Sequence, residues 1–396
     1  MSNPYGSLHH PALTRRQLLK LGAAFGLTSV VLGGCTPNST GGTVDPKTLL
    51  ASGEAISLDI LIAEAKKEGT LSTIALPRDW ANYGEVIDSF VAKYGLTYNG
   101  LHTDYGSAQE IEAIEQFKDI GGDQAPDTVD IGLGLTQSSK QKGLFAPYKV
   151  STWDSIPESL KDAEGFWYGD YYGVMAFQVS RDNISNVPED WEDLQKPEYE
   201  GTIALAGDPT ASSTAMHSVW AAGLSRTSSL DDAPEAGIEF FRELKEKGNF
   251  LAAIRDTSLE TLASGATPIV LHWDYKGLSN RDELEGTIDL AVVVPQTGVL
   301  GGAYAQAVSA YAPHPFAARL WMEHLYSDEA QLMWLKGYTH PARYNDLVQR
   351  GKVPAELAAK LPPAELYERA TFPSLDQIAK ATQYIKDNWA RVIIGS

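Results

Sequence analysis

Side chains able to support covalent or metal chemistry are few, and their spacing does not group them. The sequence contains no HExxH, GxSxG, Walker or GxGxxG motif, and Gly132-Leu133-Gly134 is too short to cradle a pyrophosphate. Its single cysteine, Cys35, excludes an internal disulfide, a CxxC redox pair and a cysteine-based zinc site. The eight histidines follow no zinc-site spacing. We therefore predict that the protein is not an enzyme and has no cofactor or resident metal.

The N-terminal residues have the features of an export signal. Arg15-Arg16 precedes an uncharged apolar stretch, Leu21–Leu32, which is shorter than the roughly 20 residues that a membrane-spanning helix needs. Two glycines then precede Cys35. This pattern resembles a twin-arginine (Tat) signal joined to a bacterial lipobox. The resemblance implies a signal peptide over 1–34, then a lipidated Cys35 and a flexible tether over 35–55. The mature protein is thus expected outside the cytoplasm, lipid-anchored to the cell membrane.

Charge limits the classes of ligand. The chain has 51 acidic and 32 basic residues, which gives a formal net charge of −19. Nucleic acids and anionic lipid surfaces are bound by clusters of lysine and arginine, so this balance disfavours both. A cationic ligand is compatible with it.

The remainder of the chain alternates between strand and helix patterns. The first half of this series comprises strands over 70–76, 96–102 and 128–133, and helices over 56–67, 83–93 and 108–118. A second region repeats the rhythm with strands over 173–180, 202–206, 269–273, 288–294 and 306–310. Alternation of this kind predicts an α/β protein with mixed, mostly parallel sheets, arranged as two lobes.

Five segments, in order, resemble ABC-transporter solute-binding proteins of the periplasmic binding protein type II class. They read EGTLSTIA (68–75), APDTVDIG (125–132), WEDLQKPEYEGTIA (191–204), SGATPIVLHW (264–273) and APHPFAARLWMEHLYSDEAQ (312–331). The resemblance implies two lobes joined by two hinge strands, with ligand captured between them, and partnership with permease and ATPase subunits. We place lobe 1 at 56–176 plus 276–312, and lobe 2 with the C-terminal helices at 177–275 plus 313–396. We expect a monomer.

The same resemblance suggests the ligand site. Spermidine/putrescine-binding members have a W-x-x-Y loop, matched by Trp80 and Tyr83, and a tryptophan followed by an acid, matched by Trp273 and Asp274. Because ligands lie beyond the carboxyl ends of strands in open α/β sheets, we looked there for the remaining contacts. The predicted ligand-binding residues are Asp79, Trp80, Tyr83, Asp208, Trp273, Asp274, Tyr275 and Tyr304. A second acid expected shortly after Asp208 is missing, which favours a small, polyamine-like cation over a long polycation.

Three alternatives remain open. Ferric-binding members have a Tyr-Tyr pair where this chain has Asp274-Tyr275, so a hard cation bound with His272 is one alternative. Tyr171-Tyr172 looks similar, but it precedes the hinge strand and is interpreted as structural. An anion such as a phosphonate would use hydroxyls at a helix start, here Thr210, Ser212, Ser213 and Thr214. The third alternative is an exported enzyme on the same scaffold.

Overall fold

The computed structural model describes residues 46–253, 257–362 and 364–395. The predicted signal peptide, Cys35 and most of the predicted tether lie outside these residues. The described residues form one compact unit. No helix in the described part of the chain is long and apolar enough to cross a membrane.

Strands of two sheets meet along one long strand. They are β1 (Thr70–Ile74), β2 (Thr97–Leu101), β3 (Thr128–Gly132), β4 (Phe145–Ala146), β5 (Tyr168–Ser180), β6 (Ile203–Leu205), β7 (Ile269–Trp273), β8 (Leu290–Val293), β9 (Gly301–Ser309) and β10 (His340–Pro341). The order is β2-β1-β3-β9-β5-β7-β6, with β4 on β9 and with β8 and β10 on β5. The first half of β5 pairs with β9 in the first sheet, and its second half pairs with β7 and β8 in the second sheet.

The predicted α/β fold class with mixed sheets is confirmed. Parallel pairing joins β1 to β2 and β3, and β6 to β7. Every described pair that involves β5 or β9 is antiparallel. These two strands connect the lobes, and each runs in the opposite direction to the strands that it pairs with. The sheets are thus mixed, with antiparallel pairing along the two strands that join the lobes.

Helices cover both sheets. They are α1 (Pro46–Leu50), α2 (Leu58–Glu68), α3 (Tyr83–Tyr94), α4 (Ser107–Phe117), α5 (Thr136–Gln141), α6 (Ser213–Thr227), α7 (Ala233–Glu246), α8 (Leu259–Ala263), α9 (Asp274–Glu283), α10 (Pro315–Leu325), α11 (Asp328–Lys336), α12 (Tyr344–Gln349), α13 (Ala355–Ala358), α14 (Ala364–Glu368) and α15 (Leu375–Trp389). Both α2 and α3 end at a glycine in the left-handed region, Gly69 and Gly95, where a side chain would be strained.

Helix packing favours a division into lobes that differs from the predicted boundaries. Helix α10 packs against α2 and β1, and α11 packs against α3, which places both with the first sheet rather than with lobe 2. Helix α9 packs against β5, β7 and β8, which places it with the second sheet rather than with lobe 1. After α11 and α13, the C-terminal helix α15 packs both on α7 and on the turn over 133–135 that follows β3.

Candidate functional site

Aromatic rings converge where the two sheets meet. Trp80, in the loop after β1, has its ring centre 5.5 Å from that of His272, 5.8 Å from Tyr275 and 5.6 Å from Tyr304. We call the following side chains the aromatic cluster: Trp80, Tyr171, His272, Trp273, Tyr275 and Tyr304. All of them except the partly buried Trp80 are buried. The rings come from a loop of the first sheet, from both long strands, from the end of β7 and from the start of α9, so the cluster joins the lobes.

A hydroxyl on α6 fixes two of these rings. The Trp273 Nε1–H donates to Thr214 Oγ1 at 3.0 Å, and the Tyr304 hydroxyl lies 3.1 Å from the same oxygen. Trp273 also stacks on Tyr275, with ring centres 6.3 Å apart. The rings are thereby held edge to face or stacked, in arrangements that aromatic pairs prefer.

Three buried carboxyl groups lie beneath the rings. Glu110, Asp130 and Asp170 are at most 5% exposed, and we call them the acid cluster. The Tyr83 hydroxyl lies 2.9 Å from Asp130 Oδ2 and 3.1 Å from Asp170 Oδ2, so one hydroxyl bridges two carboxyls. Glu110 Oε2 accepts from the backbone N–H of Asp130 at 2.9 Å.

A β-bulge brings two of these side chains to the site. The register of β5 against β9 shifts between Gly169 and Tyr172, which leaves Asp170 and Tyr171 opposite a single residue of β9. Bulges of this kind re-aim side chains. Here the Tyr171 hydroxyl donates to Asp130 Oδ2 at 3.0 Å and accepts from Trp80 Nε1 at 2.6 Å. Tyr171 therefore links the aromatic cluster to the acid cluster.

The acid cluster lacks a compensating positive charge. Among the described residues, no lysine, arginine or histidine pairs with any of its carboxyls, whose hydrogen-bond donors are hydroxyl, amide and backbone groups. Burial raises the pKa of Asp130 well above its ordinary value, and the neighbouring Asp170 and Glu110 raise it further. Burial likewise raises the pKa of Asp170 to about 6 and the pKa of Glu110 well above its ordinary value.

Two polar atoms at the junction of the clusters have no partner among the described residues. They are Asp130 Oδ1 and the Tyr275 hydroxyl, both buried. Buried polar atoms are ordinarily hydrogen-bonded, so each of these can still accept a hydrogen bond or a positive charge. The arrangement can thus neutralise a cation with carboxylates while covering its apolar part with rings.

The structure disperses the predicted ligand residues over several places. Trp80, Trp273, Tyr275 and Tyr304 lie in the aromatic cluster, and Tyr83 lies beneath it. Asp79 forms an ion pair with Lys276 of α9. Asp208 closes a turn by accepting from Thr210 N at 2.8 Å and from Thr210 Oγ1 at 2.7 Å. Asp274 is fully buried and accepts from the backbone N–H of Val174 at 2.9 Å.

Sequence reasoning missed Asp130, Asp170 and Glu110, and it interpreted Tyr171 as structural. A signal was present for Asp130, because an acid in the middle of an otherwise buried strand needs a local partner. Glu110 carried the same signal, since it lies beside Ile111 and Ile114 on the buried face of α4. Asp170 and Tyr171 carried none, because the bulge that directs them appears only in three dimensions.

The cleft next to these clusters is nearly shut. A Cβ built on Gly132, at the end of β3, would lie 2.3 Å from Ser213 Oγ at the start of α6. The cavity at this contact is about 50 Å³ and is lined by Ser107, Ser212, Ser213 and Lys386, among others. A larger cavity of about 880 Å³ lies beside β9 and is lined by Tyr172, Gly302, Tyr367 and Phe372, among others. No group of three or more His, Cys, Asp or Glu side chains in the described residues is arranged to hold a metal ion.

Comparison with known proteins gives one family. A model of bacterial extracellular solute-binding proteins matches residues 127–380. Iron uptake protein A2 of Synechocystis sp. (strain ATCC 27184 / PCC 6803 / Kazusa) is 26% identical over 298 residues, covering 66% of this chain and 79% of that protein.

Solved structures agree on the fold. The periplasmic binding protein P5PA is 17% identical with a TM-score of 0.66, over 82% of this chain and 99% of that one. Iron-bound HitA from Pseudomonas aeruginosa is 18% identical with a TM-score of 0.60, over 82% and 99%. The chain therefore belongs to the bacterial extracellular solute-binding proteins, which capture solutes outside the cytoplasm for ABC importers and act with permease and ATPase subunits.

Proposed function

We propose that this protein captures a small organic cation, such as a short diamine, between the aromatic and acid clusters. The observation that carries the proposal is the acid cluster itself. Three carboxyls are buried together without a basic partner among the described residues, and a cationic ligand would supply the missing charge.

The ring arrangement supports an organic cation over a bare one. An ammonium group against an aromatic face gains roughly 0.5–2 kcal/mol, and the methylene groups next to it gain from burial. Trp80 and Tyr171 join the rings to Asp130 through hydrogen bonds of 2.6 and 3.0 Å. A ligand that touches the rings is thereby brought next to Asp130.

Ligand size is limited by the nearly closed cleft. The lobes already touch where Gly132 meets Ser213, and the cavity at that contact is about 50 Å³. A compact ligand allows this closure, whereas a long polycation would hold the lobes apart. The function is then hinge closure around the ligand, followed by delivery to a permease. We further propose that the protein is a monomer, is exported by the Tat pathway and is anchored through Cys35.

Calorimetric titration of the full chain with putrescine and spermidine tests the ligand class. We expect micromolar or tighter binding of putrescine, about −8 kcal/mol or better. Asp130→Asn should weaken it roughly 10- to 100-fold, because a hydrogen bond to a charged group contributes about 1.5–3 kcal/mol. Asp208→Asn is the matched control, since its carboxylate closes a turn outside both clusters. Absence of heat with both amines, or equal loss in the two variants, would refute the proposal.

A second candidate, ferric iron, is favoured by one observation, the buried Tyr275 hydroxyl without a partner in the described residues. A phenolate is a suitable ligand for a hard cation. The relative from Synechocystis is named as an iron uptake protein. Ferric citrate should be titrated in parallel, and a visible absorption band from phenolate bound to iron would move the assignment to this candidate.

Titration with 2-aminoethylphosphonate tests the anion alternative, for which Ser212 and Ser213 line the cleft.

A further inference from the structure

The chain crosses between the lobes a third time near its C-terminus, over residues 365–372, which we call the C-terminal strap. Thr371 N donates to Val299 O at 2.8 Å, and Gly301 N donates to Thr371 O at 3.0 Å. These bonds attach the strap to the start of β9, which is one of the two strands that join the lobes.

A buried carboxylate attaches the strap to the other joining strand. The Tyr367 hydroxyl donates to Asp274 Oδ2, and Asp274 Oδ1 accepts from Val174 N at 2.9 Å. Val174 is where β5 changes partners, since it pairs with Gly301 of β9 whereas Met175 pairs with Trp273 of β7. Asp274 therefore lies at the point where β5 passes from the first sheet to the second.

Aromatic contacts seat the strap closely. The Tyr367 ring meets His340 edge to face at 4.2 Å, and Phe372 meets Tyr172 at 5.6 Å. A Cβ built on Gly301 would lie 2.4 Å from the Phe372 ring, so this approach requires glycine. The strap is thus packed on one face of the hinge, at Gly301. Trp273 lies on the opposite face of the hinge, against Gly302.

We propose that the C-terminal strap restrains the hinge in the closed arrangement, and that Asp274 is a positioning residue rather than a ligand contact. Rotation of the lobes about Val174 would separate Asp274 from Val174 N or from Tyr367. Either separation would remove one hydrogen-bond donor from the buried Asp274 carboxylate, which is unfavourable. Opening therefore requires release of the strap. This inference concerns closure, and it holds whatever solute the protein captures.

Tyr367→Phe in the full chain, without ligand, tests the strap, because it removes the hydroxyl and keeps the ring against His340. We expect a larger radius of gyration by small-angle X-ray scattering. We also expect hydrogen exchange at Val174 to accelerate about tenfold, with other strands keeping their protection. Tyr384→Phe, the same change on α15 outside the strap, is the matched control.

A structural role alone predicts a different result. In that case Tyr367→Phe would lower protection across all strands and leave the radius of gyration at the control's value, which would overturn the proposal. Asp274→Asn keeps an oxygen for Val174 N and should give a smaller effect than Asp274→Ala. If Asp274→Ala fails to fold, the Tyr367→Phe comparison still decides.

Discussion

Asp170 gives the acid cluster a measurable effect on stability. Burial raises its pKa from 3.8 to about 6. In the unfolded chain this carboxyl ionises near pH 3.8, whereas in the folded protein it stays protonated until about pH 6. The folded state thus holds more protons in that interval, and its stability falls as the pH rises through it. A pKa difference of this size lowers the free energy of unfolding by about 3 kcal/mol at neutral pH.

Asp170→Asn removes this cost, and the new side chain can still be hydrogen-bonded. An asparagine oxygen can still accept from Tyr171 N, which now lies 2.8 Å from Asp170 Oδ1. Gln306 donates to Asp170 Oδ2 at 3.2 Å, and its own Oε1 has no partner in the described residues, so a flipped Gln306 amide can accept from the new NH₂ group. We therefore expect the variant to fold and to be more stable than the wild type at neutral pH.

Urea denaturation of ligand-free protein between pH 4 and pH 7 measures the effect. The difference in unfolding free energy between Asp170→Asn and the wild type should grow from little at pH 4 to about 3 kcal/mol at pH 7. Asp328→Asn is a control of opposite sign, because Arg350 and Arg343 lower the pKa of Asp328 to about 2. Loss of this carboxylate should lower the free energy of unfolding at neutral pH. A difference between Asp170→Asn and wild type that stays constant across this range would refute the reasoning.

Three further predictions follow from close contacts and from the sequence. Gly132→Ala should block closure, because its Cβ would lie 2.3 Å from Ser213 Oγ; scattering with bound ligand should then show open lobes, and a wild-type radius would contradict this. Gly223→Ala places a Cβ 1.8 Å from Ala233 O between α6 and α7, so urea denaturation should show a loss of about 1–3 kcal/mol, whereas an unchanged midpoint would disprove the packing argument. Cys35→Ala should move the protein from the membrane fraction to the soluble one, and retention at the membrane would exclude the lipid anchor.

Local patterns predicted the elements well and the candidate site only in part. Strands predicted over 70–76 and 128–133 are β1 and β3, because short apolar runs between glycine and proline leave few other conformations. The rule that ligands lie after strand ends directed attention to Asp208 and Asp274, which the structure places in a turn and at the hinge. Asp130 and Asp170 lie inside strands, and only the pairing of distant segments brings them together.

Residues of the segments that resemble the family also stabilise the fold. Asp127 accepts from His314 N at 2.7 Å and from His314 Nδ1 at 2.9 Å, which joins the segments at 125–132 and 312–331. Trp191 of the third segment packs on Phe177 with ring centres 4.9 Å apart. These contacts hold distant parts of the scaffold together and carry no information about the ligand.

The central position of β9 has a consequence for how the chain folds. β9 lies between β3 and β5, and Thr128 pairs with Val308. During synthesis, β3 therefore has an unpaired edge until residues 301–309 leave the ribosome. Exposed strand edges pair readily with other chains, and long-range pairing is slow. We expect the newly made chain to depend on chaperones during this interval, and refolding in vitro to compete with aggregation as protein concentration rises.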